Sequence, residues 1–262
     1  MSTFQLQQFA INQSRSGMKI CSDSLLFGAL IPIEGAKRIL DIGAGTGLLS
    51  LMQAQKACAP ENLSLESDLK LEKITAVELT HAAAEEAQEN FDNSPWSQQL
   101  ELIEQDIQSF AEYQLATQQA GYDLIICNPP FFVEQTKTAS DNPLRHAARH
   151  TDTLSFQDLI HSIELLLTAT GKVFILLPMT ALMDFCQQAT DNDFILTQQV
   201  EIAETREHKA KVALLEFKRK GARERSENDT PNSIQRLNKF QQPNVHSDAV
   251  QKLLQPFLLR YR

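Results

Sequence analysis

Short apolar runs recur along this chain, separated by stretches in which apolar residues return at helical spacing. Arg38–Ile42, Ile74–Leu79, Leu100–Glu104, 122–128 and Val173–Leu177 read as strands. Leu124-Ile125-Ile126 shows no polar alternation, the pattern of a strand covered on both faces. Between them, helices are predicted after Ser22-Asp23-Ser24 up to Pro32, over Leu48–Met52, Thr80–Asn90 and 107–119, over Thr153–Thr168 with a cap near Gly171, and over Ala181–Ala189. The acids of the Thr80–Asn90 helix are expected on a solvated face. Phe194–Ile202 and Ala210–Phe217 alternate and predict an antiparallel hairpin, and Phe4, Leu6, Phe9 and Ile11 predict a strand or hairpin at the start. His246–Leu259 returns to a helical pattern with Val250, Leu253, Leu254 and Phe257 inward. Strands alternating with helices predict an α/β sheet. Three stretches lack an apolar period: Ala59–Lys73, 133–153 and Lys218–Gln235, the last read as a flexible charged excursion. The expected division is 1–35 as an N-terminal extension, 36–220 as the main domain, and 221–262 as charged segment plus C-terminal helix.

Composition narrows the class without fixing it. At 262 residues, 42% hydrophobic and 22% charged, the chain has the make-up of a soluble globular protein. No run of about 20 apolar residues predicts a membrane span. Met1–Gln5 lacks the basic and apolar regions of a signal peptide. The four cysteines, Cys21, Cys58, Cys127 and Cys186, form no C-x-x-C pair, which argues against a zinc site or disulfide framework and fits the cytoplasm. A net charge of -9 counts against indiscriminate nucleic-acid binding, although only the field at a docking face decides that.

The first candidate chemistry is the glycine turn Gly43-Ala44-Gly45-Thr46-Gly47 between a strand and an apolar helix. Glycines there let a ligand approach the backbone closely. The spacing is neither the dinucleotide G-x-G-x-x-G nor a phosphate-binding G-x-x-x-x-G-K-[ST]. Asp41 just before it would repel a pyrophosphate and attract a cation, such as a sulfonium carrying an amino-acid ammonium. Glu78 ends the second strand, where a carboxylate accepts ribose hydroxyls. Asp106 ends the third and either reaches an adenine amino group or caps the following helix. Asp23 is likewise a ligand contact or a cap.

The second is Asn128-Pro129-Pro130-Phe131. Two prolines cannot continue a sheet ladder. The Asn128 amide and the proline carbonyls are therefore left at the strand's carboxyl end, the rim where open parallel sheets bind ligands. The next stretch carries Arg145, His146, Arg149 and His150, side chains suited to phosphates and bases. Arg206, Lys209 and Lys211 form a second basic group between the hairpin strands.

In that order, D-I-G-A-G-T-G, Glu78, Asp106 and N-P-P-F resemble the class I S-adenosylmethionine-dependent methyltransferases that act on planar amino nitrogens. The N-terminal F-Q-L-Q-Q-F-A-I-N-Q, G-M-K-I-C-S-D-S-L-L-F-G-A and the later R-H-A-A-R-H-T are similar to bacterial tRNA adenine-N6-methyltransferases acting at position 37 of a valine tRNA. The likeness covers about residues 4–220. It implies a Rossmann-like fold with a seven-stranded, mostly parallel sheet holding one antiparallel strand, plus extensions at both ends. It implies S-adenosyl-L-methionine as cofactor and tRNA as partner, with no membrane or metal. Gly43, Gly45 and Gly47 would line the methionine part, Asp41 its ammonium, Glu78 the ribose, and Asp106 with Ile107 the adenine; Asn128, Pro129, Pro130 and Phe131 would be catalytic. Two positions depart from the family: Phe131 replaces a hydroxyl-bearing aromatic, and Thr80 stands where many relatives have an acid. The chemistry alone also fits a protein-glutamine or rRNA guanine-N2 methyltransferase, and less well a DNA adenine enzyme, a nicotinamide oxidoreductase or a non-catalytic RNA-binding module.

Overall fold

A computed structural model of the chain describes residues 3–17, 19–59, 70–129, 154–221 and 233–261. The chain opens with a small antiparallel ribbon of β1 (Thr3–Gln5) and β2 (Ala10–Asn12), followed by α1 (Ser22–Leu30). The central elements are β3 (Arg38–Ile42), α2 (Leu48–Ala57), β4 (Lys73–Glu78), α3 (His81–Asp92), β5 (Leu100–Glu104), α4 (Ile107–Ala116) and β6 (Tyr122–Cys127). After them come α5 (Phe156–Leu166), β7 (Leu167–Pro178), α6 (Leu182–Asp191), β8 (Phe194–Ala203), β9 (Val212–Arg219) and β10 (Ser233–Asn238). A two-stranded ribbon, β11 (Phe240–Gln242) with β12 (Val245–His246), leads into α7 (Asp248–Leu254).

The main sheet runs β10-β8-β9-β7-β6-β3-β4-β5. All neighbours pair in parallel except β9, which is antiparallel to both β7 and β8. The expected mostly parallel sheet with one antiparallel strand is present, extended by an eighth strand, β10, at the edge. That strand falls partly where a flexible charged segment was expected. It is held by backbone pairing to β8, and among its residues Leu237 is the buried one, so it carries no apolar run. The helix expected to reach Thr168 stops at Leu166, because Leu167 already pairs with Tyr122; Gly171 lies within β7 and caps nothing.

The unbroken apolar runs are explained by the cover on both faces. Alternate strand residues, such as Ile39, Leu124, Ile126 and Phe174, pack on one face against α1, α2, the N-terminal ribbon and α7. Their neighbours Leu40, Ile125, Val173 and Ile175 pack on the other against α4, α5 and α6. The two chain ends share the first of these clusters. The Gln7 N–H donates to the Phe257 carbonyl (2.8 Å), and the Gln7 amide donates to the Leu258 carbonyl (2.9 Å). No helix among the described residues is long and apolar enough to cross a membrane.

Candidate active site

The chain winds outward from β3 to β4 and β5, then crosses back to place β6 on the other side of β3. In an open α/β sheet this reversal leaves a crevice at the strands' carboxyl ends, where neighbouring connections depart in opposite directions. Ile42 pairs with both Val77 and Cys127. Gly43, Glu78 and Asn128 therefore leave the sheet side by side, at the mouth of that crevice.

On one side stands the glycine turn. Gly43, Gly45 and Gly47 all have positive φ (70°, 56° and 78°). The turn is pinned to the next strand: Gly43 and Ala44 donate to the Val77 carbonyl (2.9 and 3.2 Å), and the Gly45 N–H donates to Glu78 Oε2 (2.9 Å). A Cβ on Gly43 would meet nothing within 4 Å, whereas one on Gly47 would lie 2.4 Å from Phe91 Cε1. The turn is thus open on its first glycine and packed against the core on its last.

Asp41 lies beneath the turn, 0% exposed. The Ser50 N–H and hydroxyl donate to its Oδ2 (3.1 and 2.7 Å), while its buried Oδ1 has no hydrogen-bond partner among the described residues. Burial outweighs the two Ser50 bonds and pushes the carboxyl up to about 7. Glu78, 9% exposed, takes the Gly45 N–H on one oxygen and the Thr80 N–H on the other (2.9 Å each). Each oxygen retains a second lone pair for a hydroxyl. Thr80, despite replacing an acid, is tied into the site through that bond.

Asn128 and Pro129 are half-buried and directly follow β6, the strand beside β3. Asn128 Oδ1 is buried and has no hydrogen-bond partner among the described residues. A buried amide oxygen left unpaired costs about 1–3 kcal/mol, so natural chains keep few of them. The adjacent Cys127 thiol is fully covered, and burial raises its pKa, so it is no nucleophile. Pro130, Phe131, Arg145, His146, Arg149 and His150 lie outside the described residues.

Two more of the expected ligand residues, Asp106 and Asp23, also have protein partners. Asp106 caps α4, accepting the Ser109 N–H at 2.8 Å, a bond that holds its carboxyl below the usual range; Ile107 beside it is buried. Asp23 is not a cap, since Cys21 holds that position; its Oδ1 sits 2.7 Å from Lys239 Nζ. Arg206, Lys209 and Lys211 are exposed on the β8–β9 connection, at the same carboxyl rim.

The sequence reading missed a second set of residues. Glu86 on α3, expected among solvated acids, is 0% exposed. Its carboxylate accepts the N–H groups of Ser14, Arg15 and Ser16 (2.6, 2.9 and 2.8 Å) and the Ser14 hydroxyl (3.1 Å). One turn on, Asn90 bonds the N–H and carbonyl of Asn12 and the Thr46 carbonyl (2.8, 3.0 and 2.9 Å). The N-terminal extension is thereby clamped onto the glycine turn, with Ser16 Oγ 4.0 Å from the place a Cβ on Gly45 would occupy. Glu86 and Asn90 share the inward face of Ala83 and Ala87 by helical spacing, the one signal that could have found them.

The methyltransferase small domain family matches residues 15–184. A tRNA1(Val) (adenine(37)-N6)-methyltransferase of Shewanella halifaxensis is 43% identical over 67% of this chain and 64% of its own length. Those of Shewanella sediminis and Shewanella woodyi are 36% and 37% identical, each over 77% of the relative and 77% and 78% of this chain. The chain thus spans just under two thirds of the first relative and about three quarters of the other two. Among solved structures, a predicted O-methyltransferase from Agrobacterium tumefaciens superposes with a TM-score of 0.62 at 18% identity, covering 89% of this chain and 95% of that one. A methyltransferase structure holding SAH gives 0.51 at 12% identity, over 75% of this chain and 48% of that one. Profile, relatives and fold agree: this chain belongs to the methyltransferase small domain family of class I S-adenosylmethionine-dependent enzymes, alongside the tRNA1(Val) (adenine(37)-N6)-methyltransferases it matches.

Proposed function

We propose that this chain methylates the N6 amino group of adenine 37 in the anticodon loop of tRNA1(Val), using S-adenosylmethionine. The observation that carries the chemistry is Asn128 Oδ1, a buried acceptor without a partner among the described residues at the mouth of the crevice. The names of the relatives support the substrate.

The residues fit the cofactor. The open side of Gly43 leaves room for its methionine part. Asp41 Oδ1, without a hydrogen-bond partner among the described residues, would supply a carboxylate for the ammonium, Glu78 keeps lone pairs that would take the ribose hydroxyls, and Asp106 with Ile107 would border the adenine. When bound, the cofactor supplies an electrophilic methyl on a sulfonium.

An adenine amino group is a weak nucleophile because its lone pair is delocalised into the ring. Asn128 Oδ1 accepts one of its N–H bonds, and the Pro129 carbonyl accepts the other. With both bonds made, the nitrogen is drawn toward tetrahedral geometry and its lone pair localises toward the methyl. Phe131 stacks on the extruded base, worth about 1–3 kcal/mol, and an anticodon-loop base costs less to extrude than a paired one. No strong base is required, since the methylated nitrogen is acidic and loses its proton to water. In-line positioning supplies most of the acceleration. Arg145, His146, Arg149 and His150 are assigned to the RNA.

The test offers labelled-methyl cofactor with tRNA, rRNA and protein fractions from cells lacking this enzyme. Label should enter tRNA1(Val) and map to N6-methyladenosine at position 37. Label in protein glutamine or rRNA guanine would overturn the substrate while keeping the chemistry.

A further inference from the structure

The β8–β9 connection, residues 204–211, is held from beneath by the segment that follows β9 in the chain. Arg236 on β10 donates through Nη2 to the carbonyls of Thr205 and Arg206 (3.4 Å each) and to that of His208. Lys239, just past β10 and 5% exposed, places its ammonium between Glu204 Oε1 (2.9 Å) and Asp23 Oδ1 (2.7 Å), with the Ser22 hydroxyl at 3.3 Å. Within the connection, Thr205 Oγ bonds His208 Nδ1 (2.8 Å) and the Glu207 carboxylate. Of its two acids, Glu204 is paired with Lys239, with Lys211 at 4.0 Å, while exposed Glu207 takes a hydrogen bond from the Thr205 hydroxyl and keeps its charge. Arg206, Lys209 and Lys211 remain exposed, a local excess of positive charge on a chain of net charge -9.

The position fits one partner. β8 runs parallel to β6, since two antiparallel steps through β9 separate it from β7. Its carboxyl end therefore lies on the same side of the sheet as Asn128, three strand spacings across, or ~14 Å at about 4.8 Å each, and roughly three residues further along the strand direction. A base held at Asn128 would put its own strand's backbone, a few nucleotides along, over this loop.

We infer that the Glu204–Lys211 connection is a preshaped contact for RNA phosphates, and that Arg236 and Lys239 are positioning residues that set its shape without touching RNA. This rests on the tRNA reading above. Fixing the loop in advance removes the ordering cost that a flexible cationic loop would meet on binding. Each phosphate contact contributes about 0.7–0.9 to the slope of log affinity against log salt.

The experiment measures binding of the valine tRNA anticodon stem-loop by fluorescence anisotropy at several salt concentrations, with SAH affinity by calorimetry as control. Joint replacement Arg206→Ala, Lys209→Ala, Lys211→Ala should weaken RNA binding at least tenfold and flatten the salt slope by about 2–3, with SAH affinity unchanged. Arg236→Ala, at an exposed site, should weaken RNA binding about three- to tenfold, with SAH affinity and melting temperature near wild type. Lys239→Met gives a harsher version of the same loss. If the triple variant keeps the wild-type affinity and slope while the wild-type protein still methylates tRNA, this inference fails and the proposed function stands. If the triple variant loses binding but Arg236→Ala does not, the bracing role fails. If the wild-type protein neither binds nor methylates tRNA, the functional reading itself has failed.

Discussion

Gly43 and Gly47 share one backbone conformation and should fail in opposite ways. Both have positive φ, 70° and 78°. An alanine pays ~1–2 kcal/mol for that conformation at either site. The surroundings then separate them. At Gly47 the new methyl would lie 2.4, 3.0 and 3.3 Å from three carbons of Phe91, a ring that is 1% exposed in the core. Overpacking of that kind adds ~1–3 kcal/mol. Gly47→Ala should therefore cost about 2–5 kcal/mol and Gly43→Ala about 1–2. At about 2–4 °C per kcal/mol for a chain of this size, the melting temperature should fall by roughly 4–20 °C and 2–8 °C respectively. Cofactor binding should run the other way. Gly43→Ala projects a methyl into the open side of the turn and should weaken SAH by at least tenfold while the protein stays folded at 25 °C. Differential scanning fluorimetry and titration calorimetry on the two variants give both numbers. Equal melting losses, or wild-type SAH affinity in Gly43→Ala, would refute the reading of the turn as packed on one side and ligand-facing on the other.

The other predictions concern the buried polar groups around the site. Asn90→Ala strands backbone groups of Asn12 and Thr46 and should cost about 2–4 kcal/mol, measured by urea unfolding; a loss under 1 kcal/mol would mean that the N-terminal extension is not anchored there. Hydrogen bonds from the 14–16 segment lower the Glu86 pKa against the opposing effect of burial. Its stabilising contribution is thus present above its ordinary value of 4.5 and is lost as pH falls through the lower folded value; Glu86→Gln should destabilise at pH 7 and converge on wild type under acid. Asp41 has the opposite sign: the folded protein holds a proton that the unfolded chain releases, so its contribution weakens as pH rises from 3.8 to about 7 and then levels. The stability difference between wild type and Asp41→Asn should change across that interval, and a constant difference would contradict the burial argument.

The strands were legible because a sheet covered on both faces admits no polar alternation, and Ile39–Leu40 or Leu124–Ile125–Ile126 could fit nowhere else. The crevice was legible because glycine and proline constrain the backbone directly, so the turn after β3 and the stop after β6 declare themselves locally. What stayed hidden was pairing over distance. Asp23 meets Lys239 more than two hundred residues away, and nothing near either predicts it. A lone acid before a helix is a cap or a ligand by spacing alone; Asp106 caps α4, which leaves its ligand role a proposal, and the partner of Asp23, a lysine far along the chain, has no local signal. Glu86 was misread because an acid on an alanine-rich helix is ordinarily solvated; here it is the acceptor for a whole loop. β10 was missed because an edge strand can be held by its backbone while its side chains stay polar.

The account stands most directly on the Asn128 amide oxygen, which has no hydrogen-bond partner among the described residues. The decisive measurement compares Asn128→Ala with wild type in a single-turnover methylation of tRNA1(Val), alongside SAH affinity by calorimetry. The expected result is a loss of at least a thousandfold in methyl transfer, about 4 kcal/mol of transition-state stabilisation, with SAH affinity within about twofold. Methyl transfer that survives the substitution, or cofactor affinity that falls as far as the rate, would contradict it.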